Sequence, residues 1–310
     1  MRHALVTGGA GFIGSNLVEL LLRHGHGVTV LDDLSSGYRE NLHAGARFIE
    51  GDVRGEGAVD AAIAGADAVF HLAASVGNKR SIDHPIEDAG VNVLGTLRVL
   101  DACRRHGVRK LVFSSSAGIF GELKTLPIRE DHAAEPDSPY GATKLAAEKL
   151  CLVYSKLYDM DCVCLRYFNV YGPNQRYDAY GNVIPIFVHA VMQRQPIVIF
   201  GDGEQTRDFV NVADVVEANY RAALAPRVAG AFNIGSGARI SINDLSALVV
   251  RVCGAEANVT HGVPRPGDVR DSLADISAAR AAFDYEPRVS LESGLTAYVD
   301  WARTVMLSRP

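Results

Sequence analysis

The chain has 310 residues, 48% of them hydrophobic, and a formal net charge of −5. That is enough apolar material for one large or two modest buried cores, and lysines and arginines scattered among acids leave no basic footprint for nucleic acid or an anionic membrane. Five cysteines (Cys103, Cys151, Cys162, Cys164 and Cys253) form no CxxC pair, an odd set that points to reduced thiols in a cytosol and away from a disulfide framework or a zinc site.

The N-terminus, MRHALVTGGAGFIG, enters a strand and a glycine turn at once, so no signal peptide is expected. No apolar run approaches the roughly 18 residues of a membrane span, and the protein reads as cytoplasmic. The first predicted strand, HALVTG, leads through TGGAGFIG (Thr7 to Gly14) into a helix near Phe12 to His24. A glycine pattern between a strand and a helix is the context of a dinucleotide site. Gly8 and Gly11 allow a tight turn and a close backbone approach to a pyrophosphate, Gly14 lets helix and sheet pack closely, and the first-turn N–H groups face the anion.

The second predicted strand, VTVLDD, ends at Asp32, near the expected distance for a carboxylate that accepts hydrogen bonds from ribose hydroxyls. Such a carboxylate repels a 2′-phosphate and favours NAD over NADP. After the third strand, RFIEGD, Asp52 and Val53 are placed to flank the adenine, with a helix-capping aspartate as the other reading of Asp52. The strand AVFHLAA, a helix near Val91 to His106 and the strand KLVFSSS complete an alternation that predicts right-handed crossovers and a parallel sheet covered on both faces. The expected fold is α/β, a Rossmann-like doubly wound parallel sheet.

SPYGATKLAAEK (Ser138 to Lys149) then places Tyr140 and Lys144 one helical turn apart, just after a hydroxyl-rich strand end that sets Ser114, Ser115 and Ser116 at the rim of the cleft. A phenol titrates near 10, so it is a poor base at neutral pH. An ammonium one turn away, with a positive nicotinamide ring nearby, favours the phenolate; Tyr140 could then take a proton from an alcohol whose carbon gives up hydride, with a serine relaying.

From Tyr171 the texture changes to YGPNQRYDAYGNVIP, followed by shorter elements and a PRPGD turn. Residues 1–170 are expected to form the NAD-binding domain, with a strand returning near 231–237 (AFNIGSG). Residues 171–310 are expected to form a smaller, discontinuous C-terminal substrate region over the sheet's C-terminal edge. The histidines, among them His24 and His26, show no HxxxH or HExxH pairing, so no metal is expected.

With TGGAGFIG, Asp32, SSS, YGATK and RYFNVYGP in this order, the chain resembles the extended short-chain dehydrogenase/reductase family, and within it the nucleotide-sugar 4-epimerases, from Arg2 to about Ser293. RYFNVYGP, GDGEQTRDF and RPGD narrow the likeness to nucleotide-diphosphate sugars. The resemblance implies Ser116, Tyr140 and Lys144 as the catalytic set, with Lys144 also on the nicotinamide ribose. It implies the backbone of Phe12 and Ile13 on the pyrophosphate and Asn92 beside the cofactor. It implies Asn169, Asn182, Arg207 and Arg265 as the grip on the sugar nucleotide, and the two arginines suit phosphate geometry in their own right.

The implied reaction is inversion of C4 through a transient 4-keto sugar on retained NAD, with UDP-glucose and UDP-galactose as the expected pair. Ser272 stands where some relatives carry a bulky tyrosine, which leaves room for an N-acetyl group at C2. Gly118 and Phe120 replace hydroxyl residues common in relatives. Ala117 and Gly118 stand where dehydratases carry an Asp-Glu pair. A UDP-glucuronate 4-epimerase or a related reductase, dehydratase or decarboxylase is the alternative within the family, and a non-catalytic NAD sensor the alternative outside it. Relatives pair the helices near Val91 to His106 and Tyr140 to Tyr158 into a four-helix bundle, so a homodimer is expected, with Leu145, Leu152 and Leu157 as the apolar stripe of the second helix.

Overall fold

Strand β1 (His3–Thr7) shows why the sheet is buried on both sides: Ala4 and Val6 join one apolar cluster, and Leu5, between them, joins another. Side chains alternate across a strand, so a continuous apolar run supplies two cores at once. The computed structural model describes residues 1–178, 181–264 and 269–307, with residues 306 and 307 described by backbone alone.

Helix α1 (Phe12–Arg23), β2 (Gly27–Asp32), β3 (Arg47–Glu50), α2 (Glu56–Ile63) and β4 (Ala68–His71) follow β1. After β4 come α3 (Asn78–Asp83), α4 (Pro85–Ala89), a π-helical turn (Gly90–Gly95), α5 (Thr96–His106), β5 (Lys110–Ser116), α6 (Pro139–Leu157) and β6 (Asp161–Tyr167). The helix expected from Val91 therefore begins as a π turn and becomes α-helical only at Thr96.

The remainder of the chain contains β7 (Asn169–Tyr171), α7 (Val183–Met192), β8 (Ile197–Phe200), β9 (Thr206–Arg207), β10 (Phe209–Asn211), α8 (Val212–Leu224) and β11 (Gly230–Ile234). It ends with β12 (Ile240–Ser241), α9 (Ile242–Cys253), β13 (Val259–Gly262), α10 (Ser277–Phe283) and α11 (Leu291–Leu307).

The main sheet is parallel in the order β11-β6-β5-β4-β1-β2-β3. The order turns back beside β1, and the crevice at the strands' C-terminal ends at such a switch point is where ligands of these folds bind. α1 and α8 cover one face, and α2, α5 and α6 the other. A third core, built from α7, α9 and α11 around Phe187, Leu245 and Leu295, supports the small sheets β10-β7, β12-β9 and β13-β8. Among the described residues no helix is long and apolar enough to cross a membrane.

Candidate active site

The glycine turn owes its shape to two close approaches. Gly8 has φ +72°, and a Cβ there would lie 2.7 Å from the backbone nitrogen of Ala73. A Cβ on Gly14 would lie 2.1 Å from the Gly8 carbonyl oxygen, so any side chain at either place would fill the cradle with carbon. Gly11 ends the turn as the N-cap of α1 and contributes no side-chain cap, which leaves the first-turn N–H groups, those of Phe12 and Ile13 among them, for an anion. The residues present fit a dinucleotide's pyrophosphate.

Asp32 is buried at the end of β2. One carboxylate oxygen accepts from the Ala10 N–H and the other from the Leu34 N–H, both at 2.9 Å. It thus ties the glycine turn to the loop after β2, and burial raises its pKa against these two bonds. Asp52 does not cap α2, whose N-cap is Gly55. Its carboxylate is engaged by the Arg54 side chain and backbone, which lowers its pKa. Val53 is buried against the turn at Gly95. Asn92 projects from the π turn, its amide donating to the Ser75 carbonyl at 3.0 Å and accepting from the Ser75 N–H at 2.9 Å.

α6 begins with Ser138, whose hydroxyl accepts from the Gly141 N–H, and with Pro139 in the first turn. This start places Tyr140 over the end of β5, within hydrogen-bonding reach of Ser116. The Ser116 hydroxyl also accepts from the Gly118 N–H at 3.1 Å, which orients it. Lys144 is 2% exposed; its ammonium donates to the Ser114 carbonyl at 2.9 Å and lies 5.0 Å from the centre of the Phe113 ring.

Burial pushes the Tyr140 phenol up to about 12, eased by Ser116 and reinforced by Asp88, and burial brings Lys144 down to about 8, opposed by Asp88. Within the protein alone, desolvation of the phenol outweighs the lowering expected from Lys144. A phenolate here needs the further positive charge of a nicotinamide.

Of the three serines at the strand end, only Ser116 faces Tyr140. Ser115 points to the opposite face, where it donates to buried Glu148 at 2.7 Å, and the Ser114 side chain reaches Tyr167. Strand alternation turns Ser115 away from Ser114 and Ser116. Phe120 is buried against His132 and the Arg166 guanidinium, and Gly118 sits where a Cβ would come within 3.3 Å of the Ser116 oxygen.

Among the residues expected to grip a substrate, three meet at the segment Thr206 to Asp208, which comprises β9 and the residue after it. The Asn169 amide donates to the Asp208 carbonyl at 3.1 Å, the Arg207 guanidinium to the Thr206 carbonyl at 2.9 Å, and the Ser272 N–H to the Thr206 carbonyl at 3.1 Å. Ser272 is itself buried. Asn182 is exposed at the start of α7 without capping it. Arg265 lies outside the described residues.

Sequence reasoning missed two buried carboxylates: Asp88 on α4, whose charge acts on both Tyr140 and Lys144, and Glu148, one turn of α6 beyond Lys144, which forms a bidentate pair with Arg166 at 2.7 and 3.0 Å. Glu148 lies four residues after Lys144, on its face of α6, and that spacing was the available signal.

A parallel sheet with an anion-receptive glycine turn after β1, and a Ser–Tyr–Lys group on the same C-terminal edge at the end of β5, defines a dinucleotide-binding enzyme of the short-chain dehydrogenase/reductase kind. The model of the NAD dependent epimerase/dehydratase family matches residues 4–235; the chain belongs to that family, and its cofactor is NAD. It is similar to the UDP-glucose 4-epimerase of Mycolicibacterium smegmatis, at 42% identity over 97% of this chain and 98% of that protein. It also superposes on the UDP-glucose 4-epimerase of Thermotoga maritima, solved with UDP-glucose, with TM-score 0.94, 38% identity and coverage of 98% of this chain and 100% of that one. The UDP-N-acetylglucosamine 4-epimerase of Methanobrevibacter ruminantium, in complex with UDP-N-acetylmuramic acid, gives TM-score 0.94 at 35% identity over 98% and 99% of the two chains. The chain thus stands among epimerase-type enzymes of nucleotide sugars.

Proposed function

We propose that the protein inverts C4 of a UDP-hexose, interconverting UDP-glucose and UDP-galactose, and that the N-acetylhexosamine pair is a second substrate. The observation that carries this reading is that Tyr140 faces Ser116 at the end of β5, on the same C-terminal edge of the sheet that carries the glycine turn after β1. Bound NAD supplies a two-electron acceptor for the C4 hydride. Tyr140 takes the proton of the C4 hydroxyl, Ser116 holds the same oxygen, and Lys144 lends its positive charge to the phenolate. The sugar becomes a 4-keto ring, is held by its diphosphate while it turns over, and regains proton from Tyr140 and hydride on the opposite face. Atoms and electrons balance without an outside oxidant.

Residues 1–170 with β11 serve the dinucleotide, and residues 171–310 mainly serve the sugar nucleotide. Arg207, in the segment Thr206 to Asp208, is in keeping with that division; Asn169, at its border, and Asn182 and Arg265 complete the proposed grip, and Asp52 and Val53 flank the adenine. The small, buried Ser272 and the likeness to the Methanobrevibacter ruminantium enzyme support room for an acetamido group. The five free, buried cysteines suit a cytoplasmic enzyme. A homodimer through α5 and α6 would cover Val153 and Leu157, the latter 64% exposed. Leu145 and Leu152 pack instead against the protein's own cores, which leaves a shorter stripe than the helix pattern suggested.

Incubation with UDP-glucose, UDP-N-acetylglucosamine and UDP-glucuronate, with products read by NMR, tests the proposal. C4 epimers without accumulated NADH support it. Stoichiometric NADH release, loss of water or CO2, or turnover of the glucuronate alone would replace it.

A further inference from the structure

Behind the Tyr140–Lys144 turn lies a carboxylate that the proposed chemistry does not use. Asp88 has no exposed surface. One of its oxygens accepts from the Thr143 hydroxyl at 2.5 Å, and the other is buried without a hydrogen-bond partner. A buried carboxylate in that condition is costly unless a positive charge compensates it, and the ammonium whose charge interacts with it belongs to Lys144, itself buried.

Thr143 connects the two. It precedes Lys144 in the chain, and its hydroxyl lies 3.1 Å from both the Asn92 amide nitrogen and the Tyr140 carbonyl. A hydroxyl has one hydrogen to give, and the shorter contact assigns it to Asp88, with the Asn92 amide donating into the Thr143 oxygen. Asn92 is anchored on the Ser75 backbone from both ends of its amide and is carried inward by the π turn at Gly90–Gly95, a distortion often found where a side chain must be placed for function. The start of α6 is thus fastened to α4 and to the loop after β4 through one hydroxyl.

We infer that Asp88 is a positioning residue for the reaction: through Thr143 it fixes the turn that carries Tyr140 and Lys144, and its buried charge balances the Lys144 ammonium while opposing the phenolate. The inference rests on the proposed role of Tyr140 as proton acceptor. Other titratable groups face this turn. His71 on β4 is kept neutral by burial, between the hydroxyls of Thr7 and Thr96. Cys151 on α6 is pushed up by burial, and the Lys79–Asp83 pair on α3 is exposed. Further along α6, Glu148 is matched by Arg166 from β6.

Replacing Asp88 by Asn removes the charge and keeps the shape. Lys144 then loses a favourable partner and Tyr140 loses a like charge, so both pKa values fall, and both limbs of the kcat–pH profile move to acid by on the order of 1 pH unit. Thr143→Val keeps the charge and lowers kcat by about tenfold, one hydrogen bond's worth, without moving the limbs. A Asp88→Asn profile with unmoved limbs would overturn the inference.

Thermal melting gives a second test that needs no turnover. Asp88→Asn should raise the Tm of a Lys144→Met protein, because Lys144→Met alone leaves the carboxylate buried and unbalanced. A double variant no more stable than Lys144→Met alone refutes the charge balance. If the wild-type chain epimerises nothing, the functional reading falls, and the melting comparison still decides the role of Asp88.

Discussion

The Lys144 ammonium donates to the Ser114 carbonyl at 2.9 Å, while the Tyr140 phenol, one turn earlier on the same helix, reaches Ser116. The two groups that the YxxxK spacing brings together are therefore held by adjacent parts of one strand end. β5 acts as the template that sets their separation.

Tyr140→Phe keeps the ring and removes the proton acceptor. It should retain NAD, read by absorbance of the purified protein, and lose turnover by at least about 100-fold, the scale of a positioned acid–base group. A variant that turned over as the wild type does would sink the proposed chemistry.

Lys144, brought down to about 8 by burial, must be an ammonium to favour the phenolate. Turnover should therefore fall as pH rises through about 8. Stability behaves oppositely: between about 8 and 10.5 the unfolded chain holds the lysine proton that the folded chain has released, so this group makes the fold more stable with rising pH in that window. Rate and Tm measured together from pH 7 to 10 should diverge.

His71 stands at about 3 because burial, and then the Lys144 charge, penalise the imidazolium. The unfolded chain takes up this proton near pH 6.5 and the folded chain does not until about 3. The contribution to stability is complete above 6.5 and is lost as pH falls from 6.5 toward 3. Differential scanning calorimetry should show Tm dropping over that range. A His71→Gln variant, although weaker at pH 7, should drop by less.

Glu148 is fully buried against Arg166 and Ser115. Glu148→Ala leaves an uncompensated buried guanidinium and should cost about 3–5 kcal/mol in denaturant unfolding. The Arg166 side chain also donates to the Glu130 carbonyl, so the loop over Ser116 should loosen with it, as increased hydrogen exchange in residues 117–137 would reveal.

Gly14→Ala would force a methyl group against the Gly8 carbonyl. The cradle must open, and NAD binding measured by calorimetry should weaken by at least about 100-fold, in line with a lost pyrophosphate contact and a displaced helix start. Unchanged affinity would argue against this turn as the pyrophosphate site.

Much of this could be read along the chain. HALVTGGAGFIG announces a strand, a tight turn and a helix because each needs only local chemistry: apolar residues, glycine freedom, then helical spacing. The same locality revealed the start of α6, where serine and proline precede the Tyr140 turn. Local spacing misjudged Ser115, which alternation sends away from its neighbours, and it placed an ordinary helix at Val91, where the chain makes a π turn that brings Asn92 to Ser75.

The amino-acid order was sufficient for the doubly wound architecture and for the Ser116, Tyr140 and Lys144 constellation, because periodicity and backbone constraint act over a few residues. It could not disclose that Asp88 and Glu148 are buried beside that constellation. A carboxylate on a helix looks like a solvated one until partners distant in sequence close over it. Desolvation and charge pairing arise from packing, and with them the pKa values of Tyr140, Lys144 and His71 were decided by the folded chain alone.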